Sequence, residues 1–96
     1  MAERANIVVH LPAPLRPYAG GAAEIAVAAT TVEAALAALV SQHPRLRRHL
    51  FMDMGALRGY VNVFVNDAEM RTLPKAGATR LAPGDVITIL PSIAGG

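Results

Sequence analysis

The residues of this 96-residue chain best suited to chemistry are its last two, Gly95 and Gly96. Glycine has no Cβ, so a Gly-Gly end can thread a narrow slot and present its terminal carboxyl unshielded to an attacking group. Such a carboxyl has an ordinary pKa of ~3.3–3.7 and is a poor electrophile at neutral pH until something activates it. The plainer reading of the same end is a frayed terminus. No conventional active site competes with it. The chain contains no Cys, which removes thiol nucleophiles and thiolate metal ligands. His10, His43 and His49 lie in three different contexts without a spacing such as His-Glu-x-x-His, so they read as surface or partly packed side chains and no metal site is expected. Ser41 and Ser92 stand outside any Gly-x-Ser-x-Gly elbow. Gly20-Gly21 lacks the phosphate-loop pattern and reads as a turn. No catalytic residue is therefore expected within the chain.

The elements that would carry this end can be read from periodicity. In the segment 6–11, Ile7, Val9 and Leu11 alternate with Asn6, Val8 and His10, which predicts a strand. The segment 12–21 holds three prolines and ends in two glycines, so it is expected to be an irregular loop between strands. Ile25 and Val27 mark a second, weaker strand over 24–28. Thr30-Thr31-Val32-Glu33 has capping-box spacing, with Thr30 as the cap and Glu33 reaching back. Val32, Leu36, Leu39 and Val40 then form one helical stripe of about three turns, stopped by Pro44. The segment 45–50 is consistent with a short helical turn, and 51–59 has no period. Val61, Val63 and Val65 alternate with Tyr60, Asn62 and Phe64, the clearest strand pattern in the chain. Asn66-Asp67 predicts a turn, with residues 69–71 returning as a short edge strand. Pro83-Gly84-Asp85 marks a turn into the strand Val86-Ile-Thr-Ile-Leu90, with Pro91 expected to end it. Strands flanking one principal helix predict an α+β fold: a mixed sheet with the helix packed across one face.

Composition narrows the function class. A mass of 10.0 kDa and 53% hydrophobic residues suit a single domain over 1–96 with one modest core and a flexible tail at 91–96. The longest apolar run, Ala34–Val40, is too short to cross a bilayer, and no apolar segment follows the first residues as in a secretory signal, so a cytoplasmic location is expected. The net charge is only +2, with Arg45, Arg47 and Arg48 as the main cluster beside His43 and His49. Without interleaved aromatics this falls short of a nucleic-acid surface, and the cluster reads first as a solvated helix end and second as a docking patch.

Three stretches carry a family resemblance: Phe64-Val65-Asn66-Asp67 with Arg71, the run from Pro83 to Pro91, and Ala94-Gly95-Gly96, together with the loop from Leu11 to Gly21. On these the chain resembles the ubiquitin-like sulfur carriers of the MoaD, ThiS and CysO type, most of all the CysO-like members. The resemblance implies a β-grasp fold and a carrier protein that is itself no enzyme. It implies that an E1-like adenylyltransferase/sulfurtransferase, using ATP and Mg²⁺, converts the Gly96 carboxylate first to an acyl-adenylate and then to a thiocarboxylate, with no cofactor bound to the carrier. The tail Pro91, Ser92, Ile93, Ala94, Gly95 would reach into a partner's active site, spanning about 20 Å when fully extended, with Pro91 releasing it from the last strand. The sulfur-accepting partner would be a cysteine synthase-like enzyme or the large subunit of molybdopterin synthase, and a metallopeptidase could follow the first of these. Thiamine and tRNA thiolation remain open, as do two further roles: a protein modifier forming isopeptide bonds and the small subunit of molybdopterin synthase.

The resemblance also places partner docking on the sheet face opposite the helix. If Ile87 and Ile89 point into the core, Leu90 points outward as an exposed apolar contact, and Phe64 or Met70 could extend the patch. Arg16 matches a loop arginine that faces a partner's acidic surface, although a solvated arginine would look the same.

Overall fold

The computed structural model describes residues 4–91. Strand β1 (Ala5–His10) turns Ala5, Ile7 and Val9 inward, with Leu11 continuing the buried set just beyond it. It pairs antiparallel with β2 (Glu24–Ala29), whose Ile25 and Val27 lie opposite Val9 and Ile7 and are buried with them. The connection between the two is more regular than its prolines imply. Residues Ala13–Ala19 form a 3₁₀ helix, closed by Gly20 in the left-handed region at φ 65°. Proline fixes φ near the value a 3₁₀ turn needs, and Leu15 N–H donates to Pro12 O at 3.0 Å. Tertiary burial of Leu15 and Ala19 rewards that turn.

Helix α1 (Val32–Gln42) buries Val32, Ala35, Leu36 and Leu39, leaving Val40 at the edge of the core. Its cap is Thr31 and not Thr30: the Thr31 hydroxyl accepts from Ala34 N–H at 3.2 Å, a contact worth about 1 kcal/mol. Thr30 is tied instead to the connection before β5, its carbonyl accepting from Leu81 N–H at 2.9 Å, so helical geometry starts one residue later and Glu33 falls out of the capping-box position. Pro44 begins a 3₁₀ turn (Pro44–Leu46) that leads into the single-turn helix α2 (Arg47–Leu50). Leu46 and Leu50 are both fully buried.

Strand β3 (Val61–Val65) buries all three of its valines. Its hairpin partner β4 is only Ala68–Glu69, because the chain turns at Met70–Thr72 into a 3₁₀ segment. Asn66 makes the hairpin turn at φ 54°, a conformation its side chain tolerates. Its Oδ1 accepts from Val86 N–H at 3.1 Å and its Nδ2 donates to Asp85 Oδ1 at 3.2 Å. Gly84, at φ 87°, makes the other turn possible before β5 (Val86–Pro91).

The sheet order is β2-β1-β5-β3-β4, with β1 and β5 parallel and the other pairs antiparallel. Its inner face and α1 enclose a core whose largest fully buried side chains are Leu39, Leu46, Leu50, Ile87 and Ile89. Among the described residues no helix is long and apolar enough to cross a membrane.

Pro91 does not end the last strand as expected but belongs to it, opposite Val61. The register explains why the ladder tolerates it. Val86 O accepts from Asn66 N–H, so residues 86, 88 and 90 point their backbone groups toward β3 and residue 91 points away. On that other side β1 has already stopped at the His10–Thr88 pair, so the N–H that proline lacks has no partner to lose.

Candidate functional site

The strand that leads toward the Gly-Gly end lies in the middle of the sheet, gripped by β1 and β3. Its alternation is complete: Ile87 and Ile89 are fully buried, Val86 and Thr88 are half-buried on the outer face, and Leu90 is 44% exposed there. Phe64 lies opposite Thr88 on β3, half-buried on the same outer face and outside the core, while His10 lies opposite Thr88 on β1. Leu90 faces Asn62. Asn62 in turn accepts from Arg71 Nη1 at 3.3 Å, and Arg71 Nη2 donates to the carbonyls of Val61 at 3.1 Å and Arg58 at 3.4 Å. One guanidinium thus fixes the start of β3, the stretch paired with Leu90 and Pro91. Periodicity carried no signal for this brace. Tyr60, immediately before β3, is 47% exposed at the same end.

The outer face therefore presents Leu90 as an exposed aliphatic side chain, flanked by Phe64 through Thr88. Met70 does not extend it. This residue begins the 3₁₀ segment that follows β4 and is half-buried against the core. Arg16 uses its Nε on the Leu11 carbonyl at 3.1 Å, bracing its own 3₁₀ segment. Ser92, Ile93, Ala94, Gly95 and Gly96 lie outside the described residues. Among the described residues no group of side chains is arranged to hold a metal ion.

A second cluster lies on the helical side. Tyr18 stacks on His49 with ring centroids 3.9 Å apart, and the Arg45 guanidinium sits 5.5 Å from the Tyr18 ring centroid. The His49 Nε2 atom is buried without a hydrogen-bond partner. Burial, followed by the charges of Arg48, Arg58 and Arg45, holds its imidazole below the ordinary 6.5. The unfolded chain takes up this proton at 6.5 and the folded chain only at lower pH. The contribution of neutral His49 to stability is therefore intact above 6.5 and declines as pH falls through its folded value. His49→Phe keeps a ring against Tyr18 and removes the titration. Its melting temperature is expected to fall less than that of the parent when pH is lowered from neutral to about 5. Equal pH slopes for the two chains would assign the acid sensitivity to other groups.

This arrangement, a mixed sheet with the C-terminal strand at its centre and one long helix across the inner face, defines a ubiquitin-like β-grasp protein. The chain belongs to the ThiS family, whose sequence signature matches residues 9–96. It is 34% identical over 93 residues to the sulfur carrier protein CysO of Mycobacterium tuberculosis, covering 95% of this chain and 99% of that one. Among solved structures, small archaeal modifier protein 1 of Methanosarcina acetivorans superposes with a TM-score of 0.84 at 30% identity, covering 97% of this chain and 98% of that one. The Amycolatopsis orientalis BexX/CysO complex contains a chain with a TM-score of 0.82 at 30% identity, covering 94% of this chain and 99% of its own. The relatives named for a role are a carrier and a modifier, and none of these names denotes an enzyme.

Proposed function

We propose that this protein is a sulfur carrier whose reactive group is the carboxylate of Gly96. An E1-like enzyme would use ATP and Mg²⁺: a carboxylate oxygen attacks the α-phosphorus, pyrophosphate leaves, and an acyl-adenylate forms. Sulfide delivered by a donor then displaces AMP, leaving a thiocarboxylate. The observation that carries this reading is the end-to-end similarity to CysO, in a chain where the central strand leads directly into a tail ending in Gly-Gly. The carboxylate oxygen is the nucleophile of the first step and the donor's sulfide that of the second, so the carrier's part is to present Gly96 to the activating enzyme; the thiocarboxylate sulfur is then the nucleophile of the later transfer.

The CysO relatives favour a cysteine route, in which the thiocarboxylate sulfur replaces the activated oxygen group on the β-carbon of a serine derivative held by a cysteine synthase-like partner, that group leaving with its oxygen, and a metallopeptidase releases the product by hydrolysis. Because β5 includes Pro91, only the five residues Ser92 to Gly96 follow it, a length of at most about 18 Å if fully extended, so the acceptor site is expected within that distance of the end of β5.

Incubation with an E1-like enzyme, ATP, Mg²⁺ and a sulfide source, followed by intact-mass measurement, tests the proposal: exchange of oxygen for sulfur adds about 16 Da. An unchanged mass, with the enzyme shown active on its own carrier, would sink it. The similarity to small archaeal modifier protein 1 favours a second reading, attachment of Gly96 to lysines of other proteins. Isopeptide-linked products that form from the adenylate without the 16 Da species would select that reading.

Docking of the activating enzyme is assigned to the outer face around Leu90. Leu90→Glu is expected to weaken that complex by about tenfold or more while changing stability by no more than ~0.5 kcal/mol, as read by titration calorimetry and thermal melts. Unaltered affinity would move the docking face elsewhere.

A further inference from the structure

On the helical side of the molecule a cleft of about 580 Å³ opens between the 3₁₀ segment after β1 and the region around α2, its lining including Tyr18, Arg45, Arg48, Met52 and Asp53. Pro44, Arg47 and Phe51 form a ridge along it, and beyond them a groove of about 560 Å³ runs on beside α1, past Val40 and Ser41. The two share that ridge and make one elongated depression. Its charge follows from the local helices: Leu46 and Leu50 turn into the core, which leaves Arg45, Arg47 and Arg48 exposed on the outside.

Among the described residues none of these three arginines is in an ion pair. Arg58 joins them, its Nε donating to the Arg48 carbonyl at 2.8 Å. Asp53 and, beyond the ridge, Glu33 are the carboxylates of the lining among the described residues, against the four guanidiniums. Clustered guanidiniums repel one another and steer an anion toward them. The floor is not polar throughout, for Tyr18 and Phe51 offer aromatic surface. Met54, on the turn after Phe51, is 96% exposed, and an exposed thioether adapts to varied partners.

We propose that this depression is a second docking surface, occupied by an acidic segment of a partner protein whose carboxylates alternate with apolar side chains. Carboxylates would meet the guanidiniums in paired hydrogen bonds, and the apolar side chains would enter beside Tyr18, Phe51 and Val40. Two adjoining hollows on either side of the Pro44, Arg47 and Phe51 ridge suit a segment that crosses it. Its mixed lining and the presence of Asp53 suit a peptide better than a phosphate backbone, which asks for cations throughout. The Leu90 face lies across the sheet, so one partner can hold the domain from the helical side while another uses the strand that leads to the tail. This proposal does not depend on the sulfur-carrier reading, and its test reads different residues.

The probe is a short synthetic peptide alternating Glu with Leu and Phe, titrated into ¹⁵N-labelled protein, with a Lys-for-Glu peptide as control. Saturable shifts are expected at Tyr18, Arg45, Arg48, Phe51 and Met52 for the acidic peptide alone. Arg45→Glu combined with Arg48→Glu should weaken binding by about tenfold or more at low salt. If that variant melts early, Arg45→Gln with Arg48→Gln replaces it, with a smaller loss expected. Absence of binding at millimolar peptide, shifts centred on Thr88 and Leu90, or affinity indifferent to both variants would each overturn the proposal. So would equal binding of a short DNA duplex, which would reduce the surface to general polyanion attraction.

Discussion

Removal of Gly96 alone is expected to abolish the 16 Da gain while leaving the folded domain unaltered, a loss of about a thousandfold or more in the rate of sulfur loading. The reacting atoms of an adenylating site must be held within a fraction of an ångström of productive geometry, and a tail one residue short withdraws its carboxyl by about 3.3 Å or more. The new terminal residue, Gly95, carries a carboxyl of the same chemistry, so the loss would report position alone. Stability should not follow, because a glycine has no side chain to bury and, among the described residues, the core side chains lie within Ala5–Ile89. Intact mass under loading conditions and a thermal melt read the two effects separately. Loading at a normal rate would place the reactive carbonyl elsewhere, and a lowered melting temperature would show that Gly96 belongs to the fold.

The second large effect belongs to the neighbour of Leu90. Ile89→Ala should destabilise the protein by about 2–5 kcal/mol, since it removes most of a fully buried side chain from a strand held on both sides and leaves a cavity that rigid neighbours fill poorly. In a domain of this size each kcal/mol lowers the melting temperature by about 4–8 °C, so a fall of roughly 8–40 °C is expected. Urea denaturation measures it directly. The contrast with Leu90→Glu is the informative part: adjacent residues on one strand should separate folding from partner binding. A loss below about 1 kcal/mol for Ile89→Ala would mean that β5 is not packed as its alternation requires.

Much of this separation was legible beforehand. Alternation in 86–90 assigned Ile87 and Ile89 to the core and Leu90 to the surface, because a strand's side chains change face at every residue. Alternation puts Phe64 on the side of β3 opposite its valines without deciding whether it joins the core, and Met70 reads with it. The structure leaves Phe64 half-buried on the outer face and packs Met70, the first residue of a 3₁₀ segment, against the core. Thr30 and Thr31 are equally good caps by residue type, and only the backbone bond from Leu81 to Thr30 decides between them. The prolines of 12–21 read as breakers of regular structure, yet they start a 3₁₀ helix once Leu15 and Ala19 have a core to enter.

The sequence by itself determined the principal strands and the main helix, the alternating faces of those strands, and the Gly-Gly end toward which the last strand runs. These follow from residue type and short-range period, which act between neighbours in the chain. Tertiary structure alone decided that β5 lies between β1 and β3, that Pro91 can remain in the strand because β1 stops short of it, and that Tyr18 meets His49 beneath Arg45. Each of these joins residues far apart in sequence, and their meeting is fixed by the packing of one shared core, a three-dimensional constraint that no local period encodes.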